Sequence, residues 1–329
     1  MRSLTRVFVY EHLSGGGVSG GEDASVELLD LGRSMRDAVV RDFAALGSIA
    51  VSRAVTPSDR LAADGNKLSD VCRRAGESAV EFVSGHARLH DVVCVIAPES
   101  QGILAALREA VDDSRWLGCD ARAIAIASSK RATIRQLQTH GIPTPIPWRD
   151  GEPKRSSNAG WVIKPDDGAG AIATLWYASF DAARVELSKR AQCGLAATME
   201  EWVTGEPLSI AMLCRPNGLD VLSLNRQHIV VDAKGSVHYR GVSLAAIEPA
   251  SERGQRLVTL ARHVAIALPG LHGFVGIDVV DHPEKGPVVI EVNPRITCAY
   301  VGLSAAIGRN VAAALIEAHE ARQRRHAAT

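Results

Sequence analysis

Short apolar runs alternate with amphipathic stretches over the first third of the chain. Residues 7–10 form one run of strand length, and residues 91–99 contain a continuous apolar run, as in a parallel strand covered on both faces. Between them, residues 24–46 carry apolar side chains at helical spacing and end near Gly47. Strands that alternate with helices predict a small doubly wound α/β unit in this part of the chain.

The remainder of the chain has shorter apolar stretches that are separated by turns, which predicts a mixture of strands and helices. Residues 121–128 are interpreted as a weak strand, residues 238–241 as a polar loop, and residues 304–322 as a last helix followed by a frayed basic tail. The other predicted elements are helices at 129–138, 182–190 and 251–268, and strands at 160–165, 198–203, 208–214 and 219–231.

Two apolar strands near the C-terminus each carry an acid. Asp278 lies within residues 274–280, and Glu291 lies within residues 288–292. Burial of a carboxylate without a partner costs several kcal/mol, so a cation is the usual remedy. Carboxylate and carbonyl oxygens suit hard ions such as Mg²⁺.

The polar, turn-rich connection between these strands predicts a β-hairpin. If Val280 faces Val289, then Asp278 faces Glu291, and Asn293 lies two residues further along the same face. Three oxygen ligands would then converge on one surface, as a site for Mg²⁺ and a nucleotide requires.

Composition and charge exclude several classes of function. The 37 basic and 37 acidic residues give no net charge, which removes the simplest argument for binding to nucleic acid or to a membrane surface. We find no signal peptide and no apolar run of about 18 residues, so we expect no membrane span. The six cysteines are scattered without a CxxC pair, as in a cytoplasmic protein with reduced thiols.

Residues 11–17 form a glycine-rich loop directly after the first strand, where open α/β sheets place their ligands. In a functional interpretation this is a substrate loop that includes Gly15 and Gly16, and Glu11 or Ser14 contacts an amine or a carboxylate. A flexible surface loop is the alternative.

A second small-residue loop, over residues 166–171, follows a strand that ends in Lys164. Small residues let backbone N–H groups approach phosphate oxygens closely, and the lysine supplies a point charge. The loop is not a Walker A motif, because its lysine precedes the glycines. A β-hairpin with a solvated lysine is the alternative.

The order of these signals resembles the ATP-grasp ligases over roughly residues 115–320. The pattern is a strand lysine before a Gly/Ala loop, a Glu-Glu-Trp-Val strand, a Gly-Ile-Asp strand, and Glu-x-Asn-Pro-Arg at residues 291–295. The resemblance implies an α/β fold with an N-terminal doubly wound domain at 1–115, a small α+β lid at 116–203 and a C-terminal α+β domain at 204–329. ATP would lie between the last two.

The resemblance also implies a role for each matching residue. Nucleotide phosphates would be held by Lys130 and Lys164, under a mobile loop that includes Asp166, Gly168 and Gly170. Adenine would lie at a hinge formed by Glu200, Glu201 and Val203, and the ribose hydroxyls at Glu206, although many relatives place that acid one position later, at Pro207 here. One or two Mg²⁺, which Mn²⁺ could replace, would be bound by Asp278, Glu291 and Asn293, while Arg295 and Lys164 stabilise the transferring phosphoryl group.

Two further features concern the substrate. The D-alanine–D-alanine ligase branch has an arginine where this chain has Gly276, which argues against a dipeptide ligase. Residues 11–17 and 293–303 resemble the tyramine–L-glutamate ligases that build methanofuran-type one-carbon cofactors. That resemblance implies amide formation between glutamate and tyramine, or a tyrosine-like amine, through an acyl phosphate.

Several alternatives stay open. The ligase could act on another amino acid or biosynthetic intermediate, or the chain could be an inactive ATP-binding regulatory module. Arg226 and Arg240 are candidates to bind a substrate carboxylate, with solvated surface arginines as the alternative. His12, His228 and His238 are candidate bases for the attacking amine, although a lone histidine is more often structural. The N-terminal unit could support a homodimer.

Overall fold

The computed structural model of the chain describes residues 4–17, 25–59, 67–168 and 170–327. These residues form one parallel and two antiparallel β-sheets, together with helices that cover them. Each sheet is built mainly from one consecutive part of the chain. Short 3₁₀ turns lie at Pro57–Asp59, Ser100–Gly102 and Cys298–Tyr300.

The first sheet is parallel, with the strand order β3-β2-β1-β4. Its elements are β1 Thr5–Glu11, α1 Val26–Ala44, β2 Ile49–Ala54, β3 Leu68–Val71, α2 Ala79–Ala87, β4 Val92–Ile96 and α3 Ile103–Glu109. Along β1, Val7 and Val9 share a core with α1, whereas Phe8 and Tyr10 share a core with α2. Because helices cover both faces, the predicted doubly wound sheet is confirmed.

The second sheet is antiparallel and small, with the order β5-β8-β6-β7. This part of the chain contains α4 Ala121–Ala127, α5 Lys130–Thr139, β5 Pro147–Trp148, β6 Trp161–Pro165, β7 Leu175–Tyr177, α6 Phe180–Gln192 and β8 Ala197–Glu201. Trp161 and Phe180 pack edge to face at 5.2 Å in its separate core. Helices α4 and α5 instead join the main core, in which Ile124 and Leu137 are buried.

The third sheet is antiparallel, with the order β11-β10-β9-β12-β13. Its elements are β9 Glu206–Arg215, β10 Gly218–Val231, β11 Val237–Ile247, α7 Glu252–Ala267, β12 Gly273–His282, β13 Gly286–Asn293, α8 Leu303–Ala306 and α9 Val311–His326. Along β9, Ile210 and Met212 share a core with α7, and Ala211 and Leu213 share one with α9. The predicted hairpin of β9 and β10 is confirmed, since Arg215 pairs with Gly218.

The second and third sheets are joined where the β10–β11 turn meets β7. The Trp176 N–H donates to the carbonyl of Gly235 at 2.7 Å, and the Val237 N–H donates to the carbonyl of Thr174 at 3.0 Å. Gly235 has a φ of 84°, and a Cβ there would lie 2.4 Å from the Trp176 carbonyl oxygen. A glycine is therefore required at this junction.

Three of the predicted elements are wrong. Residues 121–128 form helix α4 rather than a strand, because Asp120 caps the helix by accepting from the Ala123 N–H at 2.8 Å. Residues 238–241 belong to β11 rather than to a loop, where His238 pairs with Val230. The predicted last helix is two helices, α8 and α9, and the expected frayed tail is helical to His326. The second helix starts afresh at its own cap, Asn310.

Two further observations concern the cysteines and the helices. All six cysteines are free thiols, and Cys94, Cys119 and Cys214 are buried. Within the four described ranges, no helix has the length and apolar character needed to cross a membrane.

Candidate functional site

The floor of the candidate site is the hairpin of β12 and β13. Asp278 lies opposite Glu291, which confirms the predicted pairing of the two acids. The Asn293 amide donates to Oδ2 of Asp278 at 3.2 Å, and the Gln227 amide on β10 donates to Oδ1 at 2.8 Å. Gln227 was not predicted, because its contact depends on the order of strands in the sheet.

The register of this hairpin is not uniform. Val280 lies opposite Val288, so the predicted pairing of Val280 with Val289 is wrong. A β-bulge separates this pair from the acid pair, with Ile290 as the extra residue on β13. The extra residue places Glu291 opposite Asp278 while Val289 lies opposite Val279.

The electrostatics of the floor fit a divalent cation. Burial, followed by the neighbouring Glu291 carboxylate, raises the pKa of Asp278 to about 7, against the opposing effect of the Asn293 and Gln227 hydrogen bonds. Across the part of the chain that the structure describes, no cluster of three or more His, Cys, Asp or Glu side chains could hold a metal. The oxygen donors predicted at this floor are two carboxylates and the Asn293 amide, a set that would suit Mg²⁺.

Lys130 reaches this floor from the first turn of α5. Its Nζ lies 3.0 Å from Oε1 of Glu291 and donates to the Gly168 carbonyl at 2.8 Å. Burial lowers the pKa of Lys130, but the Glu291 carboxylate more than offsets this and the net pKa is raised. Lys130 thus carries a positive charge between the acidic floor and the small-residue loop.

Asp166, predicted in the nucleotide loop, has a structural position. Its carboxylate accepts from the Ser129 hydroxyl at 2.7 Å and from the Arg131 N–H at 3.0 Å. Its carbonyl accepts from the Lys130 N–H at 2.9 Å. These contacts hold the start of α5, so Asp166 orients Lys130 and its carboxylate faces the helix.

The rest of the small-residue loop is partly described. Gly170 has a φ of 68° and open space around it, while Ala169 lies outside the described residues. Asp167, next to the predicted residues, accepts from the Gln101 N–H at 2.9 Å. This contact joins the loop to the turn after β4, in the first unit.

Lys164 and Glu200 form a buried ion pair between β6 and β8. Their charged atoms are 2.8 Å apart, and the exposed fractions of their side chains are 7% and 0%. The Thr198 hydroxyl donates to the other carboxylate oxygen of Glu200 at 3.0 Å. Glu200, predicted at the adenine hinge, is thus the partner of the predicted phosphate lysine.

The predicted hinge continues from β8. The Glu201 N–H donates to the carbonyl of Ile146, and the Trp202 N–H donates to that of Gly160 at 3.0 Å. Among the contacts between described residues, none engages the half-buried Val203 N–H. A backbone donor at this place is what recognition of an adenine edge requires.

Glu206 lies at the start of β9 between two arginines. Arg253 donates to it at 2.6 Å, and the Arg226 guanidinium donates to its other oxygen. Arg226, followed by Arg253, lowers the pKa of this carboxyl, which burial opposes. Arg226 and Glu206, predicted to contact a substrate carboxylate and the ribose, therefore contact each other.

Arg295 is held by Glu99, and this pairing was not predicted. Its Nε and Nη2 donate to the two oxygens of Glu99, each at 2.9 Å, and the exposed fractions of the two side chains are 11% and 5%. Burial lowers the pKa of Arg295, and Glu99 more than restores it. From its place at the carboxyl end of an apolar strand, Glu99 was interpreted as a substrate contact or as an acid that compensates a helix dipole, and neither interpretation included Arg295.

The loop after β1 is tightly built. The carboxylate of Glu11 accepts from the Ser14 N–H at 2.7 Å and from the Leu13 N–H at 3.2 Å. Glu11 and Ser14 are buried, so they contact the loop itself. A Cβ on Gly15 would lie 2.6 Å from the Glu11 carbonyl oxygen, and Gly16 has a φ of 77°. The glycines are thus required by the loop, and its substrate role stays a prediction.

The remaining candidates lie apart from the floor. Arg240 is exposed on β11. His228 and His238 contact Ser243 at 2.9 Å and Asp232 at 3.0 Å, respectively. Burial, followed by Arg73, lowers the pKa of His12 to about 4. None of these contacts joins a histidine to the acidic floor.

Family models cover most of this arrangement. A model of the ATP-grasp domain matches residues 127–299, which include every element of the floor and both lysines. A model of the pre-ATP-grasp domain matches residues 51–124. No curated protein matches the sequence significantly.

Solved structures share the fold at low sequence identity. A protein of Archaeoglobus fulgidus described as an ATP-grasp superfamily member is 22% identical, with a TM-score of 0.71 over 95% of this chain and 88% of its own. The L-amino acid ligase of Bacillus licheniformis is 17% identical, with a TM-score of 0.69 over 97% and 75%. The D-alanine–D-alanine ligase of Bacillus anthracis, complexed with ATP, is 14% identical, with a TM-score of 0.64 over 98% and 99%.

Proposed function

This chain belongs to the ATP-grasp family, and from that premise we propose that it is an ATP-dependent ligase that joins a carboxylate to an amine. One observation carries the proposal. The three cations predicted to contact phosphate, Lys130, Lys164 and Arg295, are each held in an ion pair by an acid from another element. Such fixed charges can stabilise a transferring phosphoryl group without reorganisation.

The reaction needs activation because a carboxylate is a poor electrophile. In the proposed reaction, a carboxylate oxygen attacks the γ-phosphorus of ATP, and ADP leaves with the electrons of the broken P–O bond. The amine then attacks the acyl carbon, phosphate leaves, and the nitrogen loses a proton. The products are an amide, ADP and phosphate, so the atoms balance.

The residues of the site would act mainly by positioning and by charge. Lys130 and Lys164 would bind phosphate oxygens, and Arg295 would contact the transferring group, where loss of one such donor typically costs on the order of 10²–10³ in rate. Asp278, Glu291 and Asn293 would hold one or two Mg²⁺, which supplies positive charge at the phosphate oxygens.

For the substrates, we propose L-glutamate as the acid and tyramine or a tyrosine-like amine as its partner, in the biosynthesis of a methanofuran-type cofactor. The support is the resemblance of residues 11–17 and 293–303 to that branch. The surroundings of Gly276 argue against the dipeptide-ligase alternative. A Cβ there would lie 2.7 Å from Cγ2 of Thr297, so an arginine has no room.

The test is ADP release with ATP, Mg²⁺ and a panel of amino acids and amines. We expect release that requires both an acid and an amine, with glutamate and tyramine as the best pair. Glu291→Ala should abolish it, whereas Glu284→Ala, an exposed acid in the turn of the same hairpin, should not. Stimulation by neither glutamate nor tyramine would contradict the specific substrates. Nucleotide binding without turnover on any pair would favour a regulatory module.

A further inference from the structure

The turn after β4 brings the first unit into the candidate site. Glu99, in this turn, accepts the bidentate pair of hydrogen bonds from Arg295, and both side chains are almost fully buried. Two residues later, the Gln101 N–H donates to Asp167 of the small-residue loop at 2.9 Å. One short turn therefore contacts both the predicted catalytic arginine and the predicted phosphate loop.

The geometry of the pair leaves Arg295 partly free. A guanidinium has five N–H donors in a planar fork. Glu99 accepts from two of them, and the carbonyl of Ile296 accepts from Nη1 at 3.2 Å. Glu99 thus fixes the fork along the edge of Nε and Nη2, while further N–H groups remain for a ligand.

We propose that Glu99 is a positioning residue, which fixes the plane and reach of Arg295 for the transferring phosphoryl group. This inference rests on the proposed function, because it gives Arg295 that role. A free arginine has many side-chain rotamers and would have to be ordered during the reaction. A guanidinium that is already oriented avoids this cost, and a displacement of about 1 Å can lower a rate about 10²-fold.

A purely structural role for the pair is the competing explanation, and the chain offers a matched control. Arg53 and Asp70 form a similar enclosed pair at 2.7 Å in the same unit, with exposed fractions of 10% and 7%. They lie on β2 and β3, on the side of the sheet away from β4. Asp70→Asn therefore removes a comparable charge without touching Arg295.

The test uses ADP, Mg²⁺ and aluminium fluoride, a mimic of the transferring phosphoryl group that requires no knowledge of the substrates. In Glu99→Gln, we expect affinity for the fluoride complex to fall about 10²-fold, with affinity for ADP alone within about threefold. Glu99→Asp, which keeps the charge, should show a smaller loss and covers the case in which the glutamine variant does not fold. Asp70→Asn should change neither affinity.

A double-mutant cycle separates positioning from stability. If Glu99 acts through Arg295, adding Glu99→Gln to Arg295→Lys should cause little further loss. This inference alone would be overturned if Glu99→Gln lowered the affinity for the fluoride complex equally in the wild type and in Arg295→Lys. It would also be overturned if Glu99→Gln left the affinities for the fluoride complex and for ADP both unchanged. A wild-type protein that binds no ADP would overturn the proposed function and this inference with it.

Discussion

The Nζ atom of Lys164 lies 2.8 Å from a carboxylate oxygen of Glu200, whose side chain has no exposed surface. A buried ion pair that loses one partner leaves an uncompensated charge, which typically costs about 3–5 kcal/mol. We therefore predict that Lys164→Met lowers the free energy of unfolding by that amount, measured with urea. Lys154→Met, in the exposed pair with Asp181, should cost under about 1 kcal/mol.

The double variant Lys164→Met/Glu200→Gln separates stability from binding. Removal of both charges should recover much of the lost stability, because no unpaired charge remains. Nucleotide affinity, measured by calorimetry with a non-hydrolysable ATP analogue, should remain below that of the wild type, because the lysine proposed to bind phosphate is missing. Wild-type affinity in the double variant would contradict the role proposed for Lys164.

The acid pair on the floor predicts opposite effects on stability and on metal binding. The folded-state pKa of Asp278 is raised to about 7, so its contribution to stability is lost as the pH rises through that value. Above that pH the folded protein buries an ionised carboxylate, which is unfavourable. Asp278→Asn removes this charge, and should raise or preserve the free energy of unfolding at pH 8 without Mg²⁺.

The same variant should reduce the gain in nucleotide affinity that Mg²⁺ provides by at least about tenfold, since one carboxylate ligand is lost. A fluorescent ATP analogue titrated with and without Mg²⁺ gives this measurement. Glu284→Gln, in the exposed turn of the hairpin, serves as the control. A full Mg²⁺ effect in Asp278→Asn would rule out this metal ligand.

Gly276 is expected to tolerate no side chain while Thr297 keeps its methyl group. A Cβ at 276 would lie 2.7 Å from Cγ2 of Thr297, and overpacking of this kind costs about 1–3 kcal/mol. Gly276→Ala should lose that stability, and the additional change Thr297→Ser should restore most of it. By contrast, Gly85→Ala, in open space within α2, should stabilise by about 1 kcal/mol. Urea unfolding of the three variants and the wild type tests this, and equal stability of Gly276→Ala and the double variant would be inconsistent with it.

We predict that the buried His12 makes the protein less stable in acid. Burial, followed by Arg73, lowers its folded-state pKa from 6.5 to about 4, so its neutral form contributes stability above pH 6.5 that is lost as the pH falls towards 4. The difference corresponds to on the order of 3 kcal/mol. The free energy of unfolding should therefore fall less steeply in His12→Asn than in the wild type between pH 7 and 4. Equal slopes for His12→Asn and the wild type would contradict the prediction.

The sequence by itself determined the elements whose contacts are local. Asp278 and Glu291 are close in the chain and share one hairpin, so a period of two along each strand paired them, although the register assumed for Val280 was wrong. The bulge at Ile290 was not predicted, because a regular period of two contains no signal for an extra residue. Helix α4 was mistaken for a strand because short apolar runs lack a clear period, and its cap Asp120 decides the matter.

Only the tertiary structure decided which charges meet. Glu99 and Arg295 are separated by 196 positions, and Gln227 and Asp278 by 51. No periodicity relates residues at such distances, since their contact depends on how the parallel sheet packs against the C-terminal sheet and on strand order. Lys164, Lys130 and Arg295 were identifiable in the sequence as candidate cations, but which acid pairs with each of them became visible only in the fold.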